Sequence, residues 1–475
     1  MAVISGFDAR PVGDARATFG GGETILLAGA TLLMLWPALY NGFPLIFSDT
    51  GTYISQAMEF HLGWDRPPFY SFFILSLDWG RSLWPPVIVQ CAATAWLIRR
   101  TQLMIAPQSS LRAGALLLAP LAVLTALPWT AAQIMPDIFT PMMVLAFTLL
   151  VLLGRCARGE QIVLMAVICL AIMVHLSNLP IYAGLCLTML GLRAGFRRRV
   201  RWRALLLPFM LGITALSGVN LIASGRFSPS PYGATFLLAR LIGDGPARTT
   251  LAHDCMIRHW ALCRYQPNMP HSADSFLWHV DSPLYQAGGP VRLIGQTKAI
   301  VARTIATEPE TVLGDAGVDF ARQLITFAPG SGLRPWYATA WQTIERDFAP
   351  PAAHAFTSSL QAHGRLRVPG WLRIIAQTLA VLGIAVTACF VLTAPVLALR
   401  RGSHHPRVSL IDDRLFGFGL IVLLTLLGNA AVTGALSGPH DRYQSRVVWL
   451  AVLSGAMVLS RLYSVWRSRP ISKTA

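Results

Sequence analysis

The feature that most constrains the fold of this chain is a repeated pattern of long apolar runs separated by short polar segments. Only 13% of the residues are charged and the mean hydropathy is +0.52, which excludes an ordinary soluble protein. Backbone in lipid must satisfy its own hydrogen bonds, so each run is expected to be helical. The runs are 24–46, 84–98, 112–128, 138–153, 162–177, 179–192, 204–224, 373–399, 414–436 and 446–463. They predict an all-α polytopic membrane protein with about ten transmembrane helices.

Basic residues are distributed unevenly along this pattern. If residues 1–23 form a cytoplasmic tail, 21 Lys and Arg residues fall on that side and four in the short segments opposite. The positive-inside rule then places residues 464–475 in the cytoplasm as well. The first run is too long for the apolar core of a signal peptide and is expected to remain as an anchor. A bacterial inner (plasma) membrane is the expected location.

The net charge of +17 does not indicate nucleic-acid binding, because the arginines lie mainly at the ends of runs rather than in one patch. Between the two tails, three divisions follow from the runs. They are an N-terminal transmembrane module at 24–224 with a first external loop at 47–83, an extracytoplasmic segment at 225–372, and C-terminal transmembrane helices at 373–463.

The extracytoplasmic segment is predicted to be mostly helical. Its apolar runs have the spacing of amphipathic helices and are separated by turn-forming residues. These runs are 233–242, 291–306, 310–327 and 337–348. A further run at 69–77, in the first loop, is too short for a span and is expected to lie in the membrane interface.

Cys255 and Cys263 are the only cysteine pair in the external segment. An oxidising compartment favours a disulfide between them, and free thiols are the alternative. A metal site would recruit nearby histidines, but their spacing matches no standard zinc pattern.

The first external loop carries the strongest candidates for catalytic or ligand-binding residues. If Ser48 caps a helix, Asp49 and Tyr53 share one of its faces. Asp49 then either complements the helix dipole or acts on a ligand, and the sequence alone favours neither. Further along, Asp65-Arg66-Pro67-Pro68 is either a stiff turn or a rigid frame that aims Asp65 or Arg66 at a phosphate.

Three later elements lie on the same predicted side. Asp137 follows a proline at the start of a span and is a good helix opener, but its turn should lie near the first loop. His175-Leu176-Ser177-Asn178 interrupts an apolar region, where polar groups face either a cavity or a packing partner. Arg442 and Arg446 are four residues apart and form one cationic helix face, suited to headgroup anchoring or to binding a phosphate.

Taken in order, these elements resemble the GT-C class of integral-membrane glycosyltransferases. Asp49 and the stretch 65–70 are similar to that family's first-loop acid and its later Pro-Pro-containing stretch. Asp137, preceded by proline, resembles the Pro-Asp that opens a later span, and Arg442-Tyr443 resembles the Arg-Tyr element before the last span. The chain has one acid rather than two at Asp49, so it resembles a divergent member.

The resemblance implies transfer of a sugar, with inversion, from a polyprenyl-phosphate donor to a lipid, glycan or protein acceptor on the periplasmic face. Asp49 is the expected general base, and Asp137 would position it. If a divalent cation takes part, these two carboxylates are its expected ligands. The remaining candidates are expected to bind substrate or phosphate: Asp65, Arg66, Tyr53, Tyr70, His175, Asn178, Arg442, Tyr443 and Arg446.

Two other functions fit the composition. A transporter or flippase of a lipid-linked or anionic substrate would be expected to show inverted repeats and charges inside broken spans, and no repeat is visible. A non-catalytic membrane assembly factor would use 225–372 as a docking module. Asp49→Asn separates these readings, because only the enzyme should lose transfer while still folding.

Overall fold

The computed structural model describes residues 20–78, 80–153, 156–195, 202–400 and 413–467. Within these ranges the chain is helical, with no strand and a single isolated β-bridge between Leu45 and Gln133. Most of both predicted cytoplasmic tails lies outside the described residues. The α-helices are α1 (Gly21–Met34), α2 (Trp36–Asn41), α3 (Ser48–Glu59), α4 (Phe69–Asp78), α5 (Trp84–Ile105), α6 (Leu111–Leu124), α7 (Leu127–Ala131), α8 (Phe139–Leu152), α9 (Arg158–Val174), α10 (Asn178–Gly195), α11 (Trp202–Ser224), α12 (Gly233–Asp244), α13 (Pro246–Asp254), α14 (Ala273–Trp278), α15 (Pro283–Gln286), α16 (Gly289–Thr307), α17 (Pro309–Ile325), α18 (Gln342–Asp347), α19 (Pro350–Thr357), α20 (Gly370–Arg400), α21 (Asp413–Ser437) and α22 (Asp441–Arg467).

The expectation of about ten transmembrane helices is wrong. Among the described residues, four helices are long and apolar enough to cross a membrane, namely α11, α20, α21 and α22. The predicted span 24–46 is divided, because Pro37 begins a separate short helix and Gly42 ends it in the left-handed region at φ 82°. Helix α5 continues to Ile105 through Arg99 and Arg100, which lowers its hydropathy.

Five shorter helices are also apolar: Gly21–Met34, Phe69–Asp78, Leu111–Leu124, Pro136–Leu152 and Asn178–Gly191. Helix α8 is the central one, since nearly all its side chains are buried. The all-α class is therefore confirmed, and the chain has the four long apolar helices typical of a membrane protein.

Helices α20 and α22 cross at very close range. A Cβ atom on Gly383 would lie 2.7 Å from the backbone carbonyl of Ala451, and one on Gly455 would lie 3.1 Å from the Cα of Gly383. Small residues at such a crossing let two backbones approach each other, as in many membrane helix pairs. This contact fixes α22 against α20.

Helices occur at each amphipathic run predicted in 225–372, but the buried residues of the segment divide among three cores. A separate core lies within 238–301 and includes Leu238, Phe276 and Ile300. The disulfide between Cys255 and Cys263 lies beside it. Buried residues between Phe327 and Ala362 join the main core instead, and Gln361 Nε2 donates 2.8 Å to the carbonyl of Ile46. Leu366 and Val368 join a third, small core that includes Leu45 and Trp129. The hydrogen bond from Gln361 attaches the start of the first loop to residues near the end of the segment 225–372.

Candidate functional site

The short bridge at Leu45 brings the first loop beside the turn that contains Asp137. Ile134 N donates 2.8 Å to Leu45 O, and Thr50 Oγ1 donates 2.9 Å to Ile134 O. Thr50 Oγ1 also accepts from Phe47 N, so Thr50, and not Ser48, ties down the start of α3. The expected proximity of the two segments is confirmed.

Asp49, Arg66 and Arg442 form a group that we call the rim cluster. Arg66 donates to Asp49 Oδ2 from Nε at 3.1 Å and from Nη2 at 2.8 Å. Arg442 Nη1 lies 3.6 Å from the same oxygen, and its guanidinium lies 4.2 Å from the centre of the Phe47 ring. Nη1 of Arg442 is buried and makes no hydrogen bond with the described residues. Asp49 Oδ2 therefore neutralises both Arg66 and Arg442, and Arg442 Nη1 remains a hydrogen-bond donor without an acceptor among the described residues.

One turn further along α22, Arg446 lies at the centre of a second group, the buried cluster. Its Nη1 donates to Asp137 Oδ1 at 3.3 Å and to His175 Nε2 at 3.1 Å. Its Nη2 donates to Ser177 Oγ at 3.0 Å and to Asn429 Oδ1 at 2.8 Å, and Nε also reaches Asn429. Every guanidinium nitrogen of Arg446 is therefore occupied, and the side chains of Arg446 and Asp137 are 0% and 1% exposed.

The ionisation of the first-loop residues follows from their neighbours. Burial alone would raise the pKa of the Asp49 carboxyl, but the Arg66 and Arg442 guanidiniums outweigh it, and the net pKa is lowered. Burial raises the pKa of the Tyr53 phenol. For Asp65, burial is the largest influence and Arg66 offsets only part of it, so the pKa is raised. The pKa values of Asp49 and Asp65 are thus shifted in opposite directions.

A depression opens beside the rim cluster, with Arg66 in its wall. Its polar side is formed by residues 63–69, including Asp65, and by Asn220 at the end of α11. Its apolar side includes Leu176 and Leu216. Trp64 stacks on aromatic rings of the segment 225–372, with centroids 5.4 Å from Phe236 and 6.0 Å from Trp278.

Most of the predicted site residues meet, although they come from distant parts of the chain. The exceptions are Tyr70 and Asn178, whose polar atoms are occupied in packing. The hydroxyl of Tyr70 donates 2.7 Å to Gln90, and Asn178 bonds Thr140 and the carbonyl of Ala171. These two residues join neighbouring helices.

Tyr443 also meets the clusters, through its ring. The ring centre lies 5.1 Å from the Arg442 guanidinium and 5.8 Å from that of Arg446. Its hydroxyl lies 2.9 Å from Ser437 Oγ. Tyr53 packs edge-on against Tyr70, with centroids 4.9 Å apart.

Sequence reasoning missed Asn429, Phe47 and Trp278. Asn429 could have been found, because it is a polar residue inside the predicted span 414–436, and such residues usually face a partner. Asn429 also donates 2.7 Å to the carbonyl of Tyr443, which fixes the first turns of α22. Trp278, whose ring centre lies 5.2 Å from the Arg66 guanidinium, carries no sequence signal.

Asp49 and Asp137 do not fit the expected role of metal ligands. No group of three or more His, Cys, Asp or Glu side chains comes together among the described residues. Each of the two carboxylates faces arginine instead, and those guanidiniums would repel a divalent cation.

The two clusters can bind an anion at the rim and hold α22 in the interior. Arginine pairs of this kind recognise carboxylate or phosphate groups. Compared with protein-family models, with curated proteins and with solved structures, the chain matches none.

Proposed function

We propose that the protein transfers a sugar from a polyprenyl-phosphate donor to a hydroxyl acceptor, with inversion, at the non-cytoplasmic surface of a bacterial inner membrane. The observation that carries the proposal is the rim cluster, in which Arg442 keeps a buried nitrogen without a hydrogen-bond partner among the described residues. A buried unused donor on a cation is costly unless a ligand completes it.

The position of this cation suits a lipid phosphate. Arg442 is the second residue of α22, one of the four helices that can cross a membrane. An anion bound there would lie at a membrane surface, while a polyprenyl chain attached to it could extend beside the apolar helices. Two arginines around the phosphate oxygens would neutralise the charge that develops on the leaving group.

Asp49 takes a different part from the general base that the resemblance implies. Its carboxylate is already bonded to Arg66 and lies near Arg442, and its lowered pKa makes it a weak proton acceptor. We propose that it holds the two guanidiniums apart and oriented until the phosphate arrives. It is a positioning residue in this mechanism.

The proposal is tested with the purified protein in lipid nanodiscs and a panel of radiolabelled polyprenyl-phosphate hexoses. The wild-type protein is expected to release polyprenyl phosphate from at least one donor. Arg442→Ala is expected to lower this rate by about 100-fold or more, since it removes a donor to the developing charge. Arg322→Ala is the matched control, because that arginine is 68% exposed on α17.

Two results would contradict the proposal. One is full turnover by Arg442→Ala. The other is failure of the wild-type protein to consume any donor in the panel.

A transporter is the second candidate, since Arg446 and Asp137 form an ion pair buried among apolar helices, as in ion-coupled carriers. Movement of intact donor across proteoliposome membranes, without release of polyprenyl phosphate, would favour it.

A further inference from the structure

The depression beside Arg66 has two different walls. Asp65, Trp64 and Asn220 offer polar and aromatic groups, while Leu216 and Val219 from the last turns of α11 offer apolar ones. Because α11 is long and apolar enough to cross a membrane, an alkyl chain that leaves the apolar side of the depression could run along this helix. A ligand with both a hydroxylated head and an alkyl chain matches these walls.

The polar wall is held in place by the surrounding chain. Asn220 Nδ2 donates 2.8 Å to the carbonyl of Ser228, which draws residues 229–232 over the end of α11. A Cβ on Gly63 would lie 3.0 Å from Asp65 Oδ1, so glycine at this position leaves room for that carboxylate. Pro67 and Pro68 fix the backbone that follows. The geometry does not depend on a ligand being present.

The Asp65 carboxylate is the one acid in this wall, and it differs from Asp49 in its partners. Among the described residues, no side chain forms a hydrogen bond or an ion pair with either of its carboxylate oxygens. Arg66 Nη1 donates instead to the main-chain carbonyl of Asp65, at 3.1 Å. This acid is therefore available to a ligand.

We propose that the depression is the acceptor site of the transferase, that it takes the headgroup of an amphipathic neutral polyol such as a glycolipid, and that Asp65 is the general base. The inference rests on the proposed function. Arg66 lies in the wall of the depression and also in the rim cluster, so the acceptor and the donor phosphate would be neighbours. Direct transfer between two bound substrates requires this arrangement.

The step balances without a further reactant. Asp65 takes the proton of the acceptor hydroxyl while the oxygen of that hydroxyl bonds to the anomeric carbon of the donor. The bond from that carbon to the phosphate oxygen breaks, and its electron pair leaves on the polyprenyl phosphate beside Arg66 and Arg442. A single displacement inverts the anomeric centre, and the acceptor gains one sugar.

The ionisation of Asp65 supports this role. Burial raises the pKa of its carboxyl, the nearby Asp49 adds to the shift, and Arg66 and His61 oppose it. A carboxylate with a raised pKa is a stronger base than an arginine-paired one, so Asp65 suits proton removal better than Asp49 does.

Binding is tested with a photoreactive octyl glucoside on the wild-type protein in nanodiscs. Cross-links are expected in 63–69, 216–220 and 229–236, and unlabelled octyl glucoside should compete with them where methyl glucoside at equal concentration does not. Val219→Trp should weaken labelling at least tenfold. Val291→Trp is the control, at a residue 59% exposed on α16. Labelling elsewhere, or equal competition by methyl glucoside, would overturn the amphipathic site.

Catalysis is tested with the donor that the wild-type protein consumes. Asp65→Asn should lower transfer by about 10²- to 10⁴-fold and leave the affinity for polyprenyl phosphate unchanged. Asp65→Glu should restore part of the rate. If Asp65→Asn transfers normally, Asp65 is not the base even though the enzyme is a transferase. If the wild-type protein consumes no donor, the proposed function fails, and the labelling result still decides whether the depression binds a polyol.

Discussion

The rim cluster and the buried cluster use two arginines on successive turns of α22, yet the partners of these two arginines are very different. Arg446 has all three guanidinium nitrogens bonded to Asp137, His175, Ser177 or Asn429. Arg442 lies 3.6 Å from one oxygen of Asp49, and its Nη1 has no hydrogen-bond partner in the part of the chain that the structure describes. The full set of hydrogen bonds to Arg446 is the basis on which we assign it a structural role, and the unpartnered nitrogen of Arg442 is the basis of the proposal that the rim site binds a ligand.

The largest effect is expected from breaking the buried cluster. Asp137→Asn leaves Arg446 without its counter-ion at a fully buried position, which should cost about 3–5 kcal/mol in the free energy of unfolding. Thermal unfolding in detergent micelles measures it, with the exposed Asp281→Asn as control. The double variant Asp137→Leu/Arg446→Met should recover much of the stability. If Asp137→Asn is as stable as the wild-type protein, the buried cluster is not structural and the contrast fails.

An intermediate effect is expected at the rim. Asp49→Asn removes the carboxylate between two guanidiniums that are partly reached by water, so unfolding should be easier by about 2 kcal/mol. Binding of polyprenyl phosphate, measured by fluorescence titration, should weaken, because the two cations lose their common anchor. If Asp49→Asn lowers the free energy of unfolding as much as Asp137→Asn does, both clusters are structural and the contrast between them fails.

The smallest effect is expected at a third pair, on the surface. His440 Nε2 lies 3.7 Å from Asp274, and the side chains are 46% and 64% exposed. The nearby Asp274 carboxylate raises the pKa of His440 above 6.5, while burial and Arg442 oppose the shift. The stabilisation is therefore complete below pH 6.5 and is lost as the pH rises through the folded-state pKa. His440→Gln should remove this dependence, which is about 0.5 kcal/mol or less, from the thermal midpoint between pH 5 and pH 9. An unchanged profile would show that the pair contributes nothing.

The sequence was a good guide to which residues meet and a poor guide to how they pair. Order along the chain and predicted side brought Asp49, Asp137, His175 and the two arginines together as candidates. It could not say that Arg446 rather than Arg442 reaches Asp137, because that depends on the rotation of α22. Nor could it separate Asp49 from Asp65, since both are lone acids in one loop and only tertiary contacts decide which of them is neutralised.

The fold was predictable in class and not in detail. Apolar runs located the helices, because hydropathy depends only on local composition. The number of spans was overestimated in part because the apolar run at 24–46 contains a short helix that begins near Pro37 and ends at the left-handed Gly42. Other apolar runs, such as 112–128 and 138–153, form helices shorter than the four long ones. An apolar run predicts that a helix is buried, but the composition of a short helix buried among other helices is similar to that of a helix in lipid.

The crossing of α20 and α22 has a consequence for the chemistry at the far end of α22. Gly455 lies nine residues from Arg446, about 14 Å along the helix axis. Were a side chain at Gly383 to turn α22 by 20°, a group 5–6 Å from its axis would move by about 2 Å. That displacement would break most of the Arg446 hydrogen bonds and carry Arg442 away from Asp49. Two glycines, which carry no side-chain heavy atoms, thus set the rotation of α22 and with it the positions of Arg442 and Arg446.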